Sequence, residues 1–207
     1  MSIDVYTVAF IVIIALAIAM PVVFFKGHNE NVRRMKIISQ KLESLLKPKD
    51  KVYELLGTSV GFRAIYTINR NCLGKAEALL ILLPRQSLIY YPISKLTTKH
   101  DTLLLKLEIT GKLNLQPFAI ERKVNACNEL KLNSNKISIN NIDYYYCGIN
   151  HSLLDNMLNV LRMLKNIKSL IEISYINNIL TLKFSSSNDT IIDDINKLLK
   201  TILRACL

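Results

Sequence analysis

The 207 residues carry 27 Lys and Arg against 16 Asp and Glu, a net charge of +11, and half of all positions are hydrophobic. Roughly 180 residues follow the first apolar stretch, enough to bury a real core, which excludes a chain too short to fold as a domain. The charge suits anionic lipid headgroups or nucleic acid better than acidic protein surfaces alone, although a generally basic, solvated surface gives the same count.

From Val5 to Phe25 the sequence VYTVAFIVIIALAIAMPVVFF has no charged residue. At helical rise this run crosses a hydrocarbon layer of roughly 30 Å, so it predicts a single transmembrane helix. Residues 1–4 hold only an acid, Asp4, whereas Lys26, Arg33, Arg34, Lys36, Lys41, Lys47, Lys49 and Lys51 follow the run. Bases stay in the cytoplasm, which predicts an N-terminus outside and a C-terminal domain inside, in the cell membrane or the endoplasmic reticulum membrane. Ala17-Ile18-Ala19 resembles a cleavage site that would leave a mature chain starting at Met20, but a secretory or pilin-type signal carries its bases ahead of the apolar stretch.

Residues 26–50 read as a basic juxtamembrane helix. Val32, Met35, Ile38, Leu42, Leu45 and Leu46 fall near helical spacing, Pro48 ends the pattern, and Arg33, Arg34, Lys36 and Lys41 lie between the apolar positions. Those four bases are candidates for anionic lipid, each contributing on the order of 1 kcal/mol near the surface. The alternative is a solvated face on a helix packed against the domain.

Residues 51–207 read as a cytoplasmic α+β domain with an antiparallel sheet and packed helices. Val60–Ile68 alternates as a strand does, Ala76–Leu83 is a short apolar run, and Leu103–Ile109 alternates again. Pro84–Lys95, between the second and third of these strands, predicts a connection or short helix. Weaker strands are expected around Leu115–Val124, Lys136–Ile139 and Tyr144–Cys147, separated by Asn-rich turns. A helix is expected over Leu153–Ile167, a hairpin of Leu170–Tyr175 and Ile179–Phe184 across Asn177-Asn178, and a last helix over Thr190–Arg204. Asp193 and Asp194 near its start and Lys200 and Arg204 near its end complement its dipole. Helix, strand, strand, helix argues for α+β over a parallel doubly wound sheet.

Cys72, Cys127, Cys147 and Cys206 show no C-x-x-C pattern, and His28, His100 and His151 stand apart, so neither a zinc site nor any other cofactor is expected. In a cytoplasmic domain the cysteines are expected as reduced, partly buried thiols. Asn150-His151-Ser152 and Asn188-Asp189-Thr190 match the glycosylation acceptor, a pattern that matters only outside the cytoplasm.

The membrane helix, the basic helix, the stretches AEALLILLPRQSLI and DTLLLKLEI, and the closing elements IEISYI, ILTLKF and IIDDINKLLKTIL together resemble the calumin family, translocon-associated membrane proteins of the PAT complex. The resemblance implies a scaffold beneath the ribosome that helps multipass proteins insert or fold, with the Sec channel, an Asterix-like small membrane protein and ribosomal RNA as partners. It also implies a loop after the AEALLILL strand that projects from the sheet, presenting Arg85, Lys95 and Lys99 to phosphate. Two features depart from the family. The sequence reaches Leu207 without a long charged coiled coil, which removes part of the ribosome contact, and no acidic region precedes the membrane helix, which removes any basis for calcium binding.

Two other classes compete with this reading. A membrane-tethered module that binds lipid or protein without a ribosome needs only the anchor and the bases. A membrane-bound enzyme needs a nucleophile, acid or base with partners, and the sequence has no G-x-S-x-G, H-E-x-x-H or phosphate loop, so catalytic residues are expected to be absent.

Overall fold

The computed structural model describes residues 4–70, 72–110, 116–185 and 188–203. The expected strand start at Leu115, the Arg204 end of the last helix and the Cys206 thiol lie outside them.

The apolar run and the basic segment form one helix, α1, from Val5 to Leu46. The separate juxtamembrane helix expected from residue 26 is therefore corrected to a continuation of the membrane helix. Pro21 lies inside α1 and denies the Ala17 carbonyl its usual partner, yet the helix runs on. Lys47 ends it in the left-handed conformation (φ 45°), its N–H donating to the Glu43 carbonyl, and Pro48 follows. The span is uncovered by protein, whereas beyond it Gly27, Asn31, Met35, Ile38, Leu42 and Leu46 are buried. Steps of three and four residues put these on one stripe, which is why a single continuous helix can be apolar all round at one end and packed on one side at the other.

Nine strands form one antiparallel sheet among the described residues. They are β1 (Asp50–Gly57), β2 (Gly61–Arg70), β3 (Leu73–Ile81), β4 (Thr102–Ile109), β5 (Phe118–Glu121), β6 (Asn135–Ile139), β7 (Ile142–Cys147), β8 (Leu170–Ile176) and β9 (Ile179–Phe184). Their spatial order is β1-β2-β3-β4-β9-β8-β5-β7-β6. Register makes one apolar face: Phe62 faces Leu80, Leu80 faces Leu103, Leu103 faces Phe184, and Ala64, Ala78, Leu105 and Leu182 repeat the row two residues on. The C-terminal half of α1, α4 (His151–Arg162) and α5 (Ile191–Ile202) share this core. Each large aliphatic or aromatic side chain buried there contributes about 1.5–3 kcal/mol. The α+β architecture with an antiparallel sheet agrees with the sequence reading.

Four local expectations change. β1 lacks a sequence pattern because this edge strand is exposed along nearly its whole length, and pairing with β2 alone defines it. The helix expected to reach Ile167 stops at Arg162, because the Asp194 carboxylate, fully buried, accepts from the N–H groups of Lys165 (3.1 Å) and Asn166 (2.9 Å) and turns the chain. Asp194 is thus a structural acceptor as well as a first-turn acid. The weak strand expected over Leu115–Val124 is the four-residue β5. Finally, Cys127 and Cys147 are joined by a disulfide rather than reduced. The Glu121 carboxylate at the end of β5 accepts from Ala126 N–H (3.0 Å) and Cys127 N–H (2.8 Å) and starts the single turn α3 (Ala126–Glu129). That turn sets Cys127 beside Cys147 of the neighbouring strand β7, with Cα atoms 5.9 Å apart.

β1 is tied to α1 by Glu43, whose carboxylate accepts from Lys51 Nζ and Tyr53 Oη, each at 2.6 Å. Those two hydrogen bonds hold the Glu43 carboxyl below its ordinary 4.5. Because the folded value is the lower one, the contribution is complete above the ordinary value of the unfolded chain and is lost as pH falls through the depressed, folded one. Thermal unfolding of the detergent-solubilised protein should show the wild type's advantage over Glu43→Gln shrinking as pH is lowered from 7 to below about 4, the ordinary carboxylate range.

Candidate functional site

Just past its apolar run, which is long enough to span a membrane, α1 meets the loop after β3. Gly27 lies so close to that loop that a side-chain carbon there would fall 2.1 Å from the Arg85 carbonyl oxygen, so only glycine permits the approach. One turn on, Asn31 is fully buried, and its Nδ2 donates to the carbonyls of Ser59 (2.7 Å) and Leu83 (2.8 Å). Arg85 completes the joint. Its Nη1 donates to Asn31 Oδ1 (3.0 Å) and to Asp101 Oδ1 (2.9 Å), and its Nη2 to Asp101 Oδ2 (2.8 Å). Asp101, buried at the start of β4, also accepts from Leu83 N–H at 2.7 Å. The planar fork of Arg85 thus pairs a carboxylate bidentately while bridging three segments.

Beside this joint opens a cleft of about 550 Å³ lined by α1, α2 (Tyr90–Thr97), the β4 approach and the entry to α5. Arg33, Arg34, Lys95, Lys99 and His100 line it, with Ile37, Ile38, Leu83 and Tyr91 supplying apolar wall. Burial pushes the Glu30 carboxyl up, but hydrogen bonds from Arg33 (2.8 Å) and Arg34 (2.7 Å) outweigh it and hold the group below its usual value. One acid therefore offsets two arginines. Asp189, also on the wall, is taken by Lys41 at 2.8 Å, and that contact holds its carboxyl low. Among the described residues no ion pair involves Lys95 or Lys99. The cleft therefore carries a surplus of positive charge, matched to a phosphate-bearing or carboxylate-bearing ligand.

The structure sorts the seven bases singled out in the sequence. Arg33, Arg34, Lys95 and Lys99 converge on the cleft from α1 and α2. Lys36 is exposed elsewhere on α1, and Lys41 is engaged with Asp189. Arg85, expected on a projecting loop, folds inward against Asp101; the loop lies along α1 rather than away from the sheet. Sequence reasoning missed Asn31, Asp101 and Tyr91. Asn31 alone left a trace, as a polar residue on the otherwise apolar stripe of α1. Among the described residues no group of three His, Cys, Asp or Glu is placed to hold a metal ion.

Compared with models of known protein families and with curated proteins, the sequence has no match.

Two substitutions test the joint. Asp101→Asn leaves the half-buried Arg85 against a neutral partner and should lower stability by about 2–3 kcal/mol, read from denaturant unfolding. Gly27→Ala drives a methyl into the Arg85 backbone and should lower the melting temperature, whereas the exposed neighbour Lys26→Ala should leave it nearly unchanged.

Proposed function

We propose that this protein is a single-pass, membrane-anchored binding scaffold that rests its domain on the bilayer and takes the phosphate of an anionic lipid headgroup in the cleft between α1 and α2. The observation that carries this reading is the position of the bases. Phe25, the last residue of the apolar run, and Arg33 are separated by about 12 Å of helix axis, and helical side chains lean toward the N-terminus, which here is the membrane. Arg33 and Arg34 reach back toward the headgroups while Lys95 and Lys99 close the same cleft from α2. The apolar wall provides for the glycerol and acyl part of the same ligand.

The scaffold for multipass insertion, with ribosome, Sec channel and an Asterix-like subunit, stays a second proposal supported by the exposed bases of the same region. Ribosomal RNA offers the same phosphate chemistry, but a cleft this close to the span favours lipid. The domain is placed in the cytoplasm on the charge asymmetry about the span. The disulfide pulls the other way, since such bonds persist mainly in oxidising compartments and in the intracellular proteins of hyperthermophiles. We give more weight to the bases, because they act beside the span during insertion, whereas the two cysteines are buried from cellular reductants once the domain has folded. A domain on the outer side would expose Asn150 and Asn188 to glycosylation, so a glycosidase-sensitive mass in eukaryotic microsomes would reverse the orientation.

The lipid reading is tested by titrating detergent-purified protein with short-chain phosphatidylglycerol or phosphatidylcholine and following the melting temperature. Only phosphatidylglycerol should stabilise the wild type. Reversing Arg33, Lys95 and Lys99 to Glu removes about 3 kcal/mol of attraction or more, so apparent affinity should fall on the order of a hundredfold. If the titration is indifferent to headgroup charge while ribosome co-sedimentation collapses in the triple variant across a salt series, the phosphate belongs to RNA instead.

A further inference from the structure

The second observation about this end of the molecule concerns α2 itself. Eight residues are too few for a helix to hold in water, where isolated helices shorter than about 12–15 residues are marginal. Its sequence, YYPISKLT, is rich in β-branched and aromatic residues, and none of the eight is buried in the domain. Tyr91 and Lys95 turn inward to the cleft, while Ile89, Ile93 and Leu96 share the opposite side and are 61%, 51% and 79% exposed. Such a stripe on a soluble surface leaves the helix without the burial that would hold it.

The covering medium is indicated by what lies beside α2. Leu88 and Ile89 border a crevice of about 340 Å³ whose other wall is Met20 and Phe24 of the membrane span. Phe24 sits one residue and Met20 five residues inside the last apolar position, Phe25, so the crevice reaches to about 7 Å below the end of the apolar run at helical rise. Interfacial helices bury their apolar faces about 5–10 Å into the boundary between headgroups and acyl chains, which is the same depth. Tyr90, an amphipathic ring, and Lys95 and Lys99, whose stems are apolar and whose tips are charged, suit that boundary.

We propose that α2 is a second membrane anchor: an interfacial helix lying in the same leaflet into which α1 opens, with Ile89, Ile93 and Leu96 in the acyl boundary. This rests on α1 being a membrane span, but not on a lipid phosphate occupying the cleft. Two points of attachment fix the domain's rotation about the α1 axis, which a single helix leaves open. They also hold the cleft at headgroup level.

The test uses the full-length protein reconstituted into vesicles of phosphatidylcholine and phosphatidylglycerol, with an environment-sensitive nitrobenzoxadiazole label on one introduced cysteine at a time. Ile93→Cys and Leu96→Cys report α2, Ile18→Cys reports the span, and Asn177→Cys, at an exposed hairpin tip, reports water. Labels at 93 and 96 should be blue-shifted, several-fold brighter than at 177, and quenched by shallow spin-labelled lipids. Emission at 93 and 96 equal to that at 177, with 18 still buried, overturns the second anchor while the span stands, and gives the stripe to a protein partner. Water-like emission at 18 overturns the anchor and the membrane reading together. Loss of headgroup selectivity in the cleft alone would touch neither.

Discussion

The fold depends on one helix serving two solvents. In α1 the half in the membrane must be apolar all round, whereas the half in the domain needs apolar residues only on the stripe that faces the sheet. Gly27, Asn31, Met35, Ile38, Leu42 and Leu46 supply that stripe without a break in the backbone, so the anchor is part of the core. Anything that moves α1 in the bilayer is carried into the sheet, because the residues that would form a linker are the ones packed against β2 and α5.

The joint around Asn31 shows how the crossing from lipid to protein is managed. A glycine allows backbone contact, and a buried amide donates to two loop carbonyls, those of Ser59 and Leu83. A carboxylate then neutralises the arginine that the loop brings in. Of the bases near the span, Arg85 and Lys41 are held by acids, and Arg33 and Arg34 share Glu30. What remains for a ligand is mainly the surplus from Lys95 and Lys99, a smaller and better-placed charge than the whole-chain value of +11 suggests. Net charge counts the bases; pairing decides which of them are left to meet a ligand.

Much of the fold was legible because it rests on periodicity. The alternation of Phe62, Ala64, Tyr66 and Ile68 and of Leu103, Leu105 and Leu107 marks a sheet covered on one face. Asn177-Asn178 marks its turn because both residues adopt the left-handed conformation that a tight hairpin requires. β1 was not legible, since an exposed edge strand has no buried face to impose a pattern. The end of α4 was hidden because the apolar run continues past Arg162 while a buried carboxylate far along the chain, Asp194, takes the backbone N–H groups. The disulfide was hidden for the same reason: nothing in the spacing of Cys127 and Cys147 says that β5 and β7 are neighbours. For the cleft, the sequence supplied the bases and their proximity to the membrane but not their partners, which are set by tertiary pairing.

The direction of α1 also bears on what the domain can reach. From Phe25 to Leu46 the helix rises about 30 Å. β1 begins just beyond its end and runs back beside it: Lys51 and Tyr53 meet Glu43, and Ser59, just past the strand, meets Asn31. The edge strand β1 and the helix α2 present different chemistry. At the membrane end, apolar exposure on α2 is concentrated on one stripe and flanked by lysines, as an interface with headgroups demands. Along the edge strand β1, apolar Val52, Leu55 and Leu56 are interrupted by Glu54, which faces Arg63 across the pair, and a charge at that point blunts the edge against unguided strand pairing. A domain that turned freely on its anchor would gain nothing from such a division. It becomes useful when the rotation about α1 is fixed, because only then is α2 always presented to lipid and the edge strand β1 always to the aqueous phase.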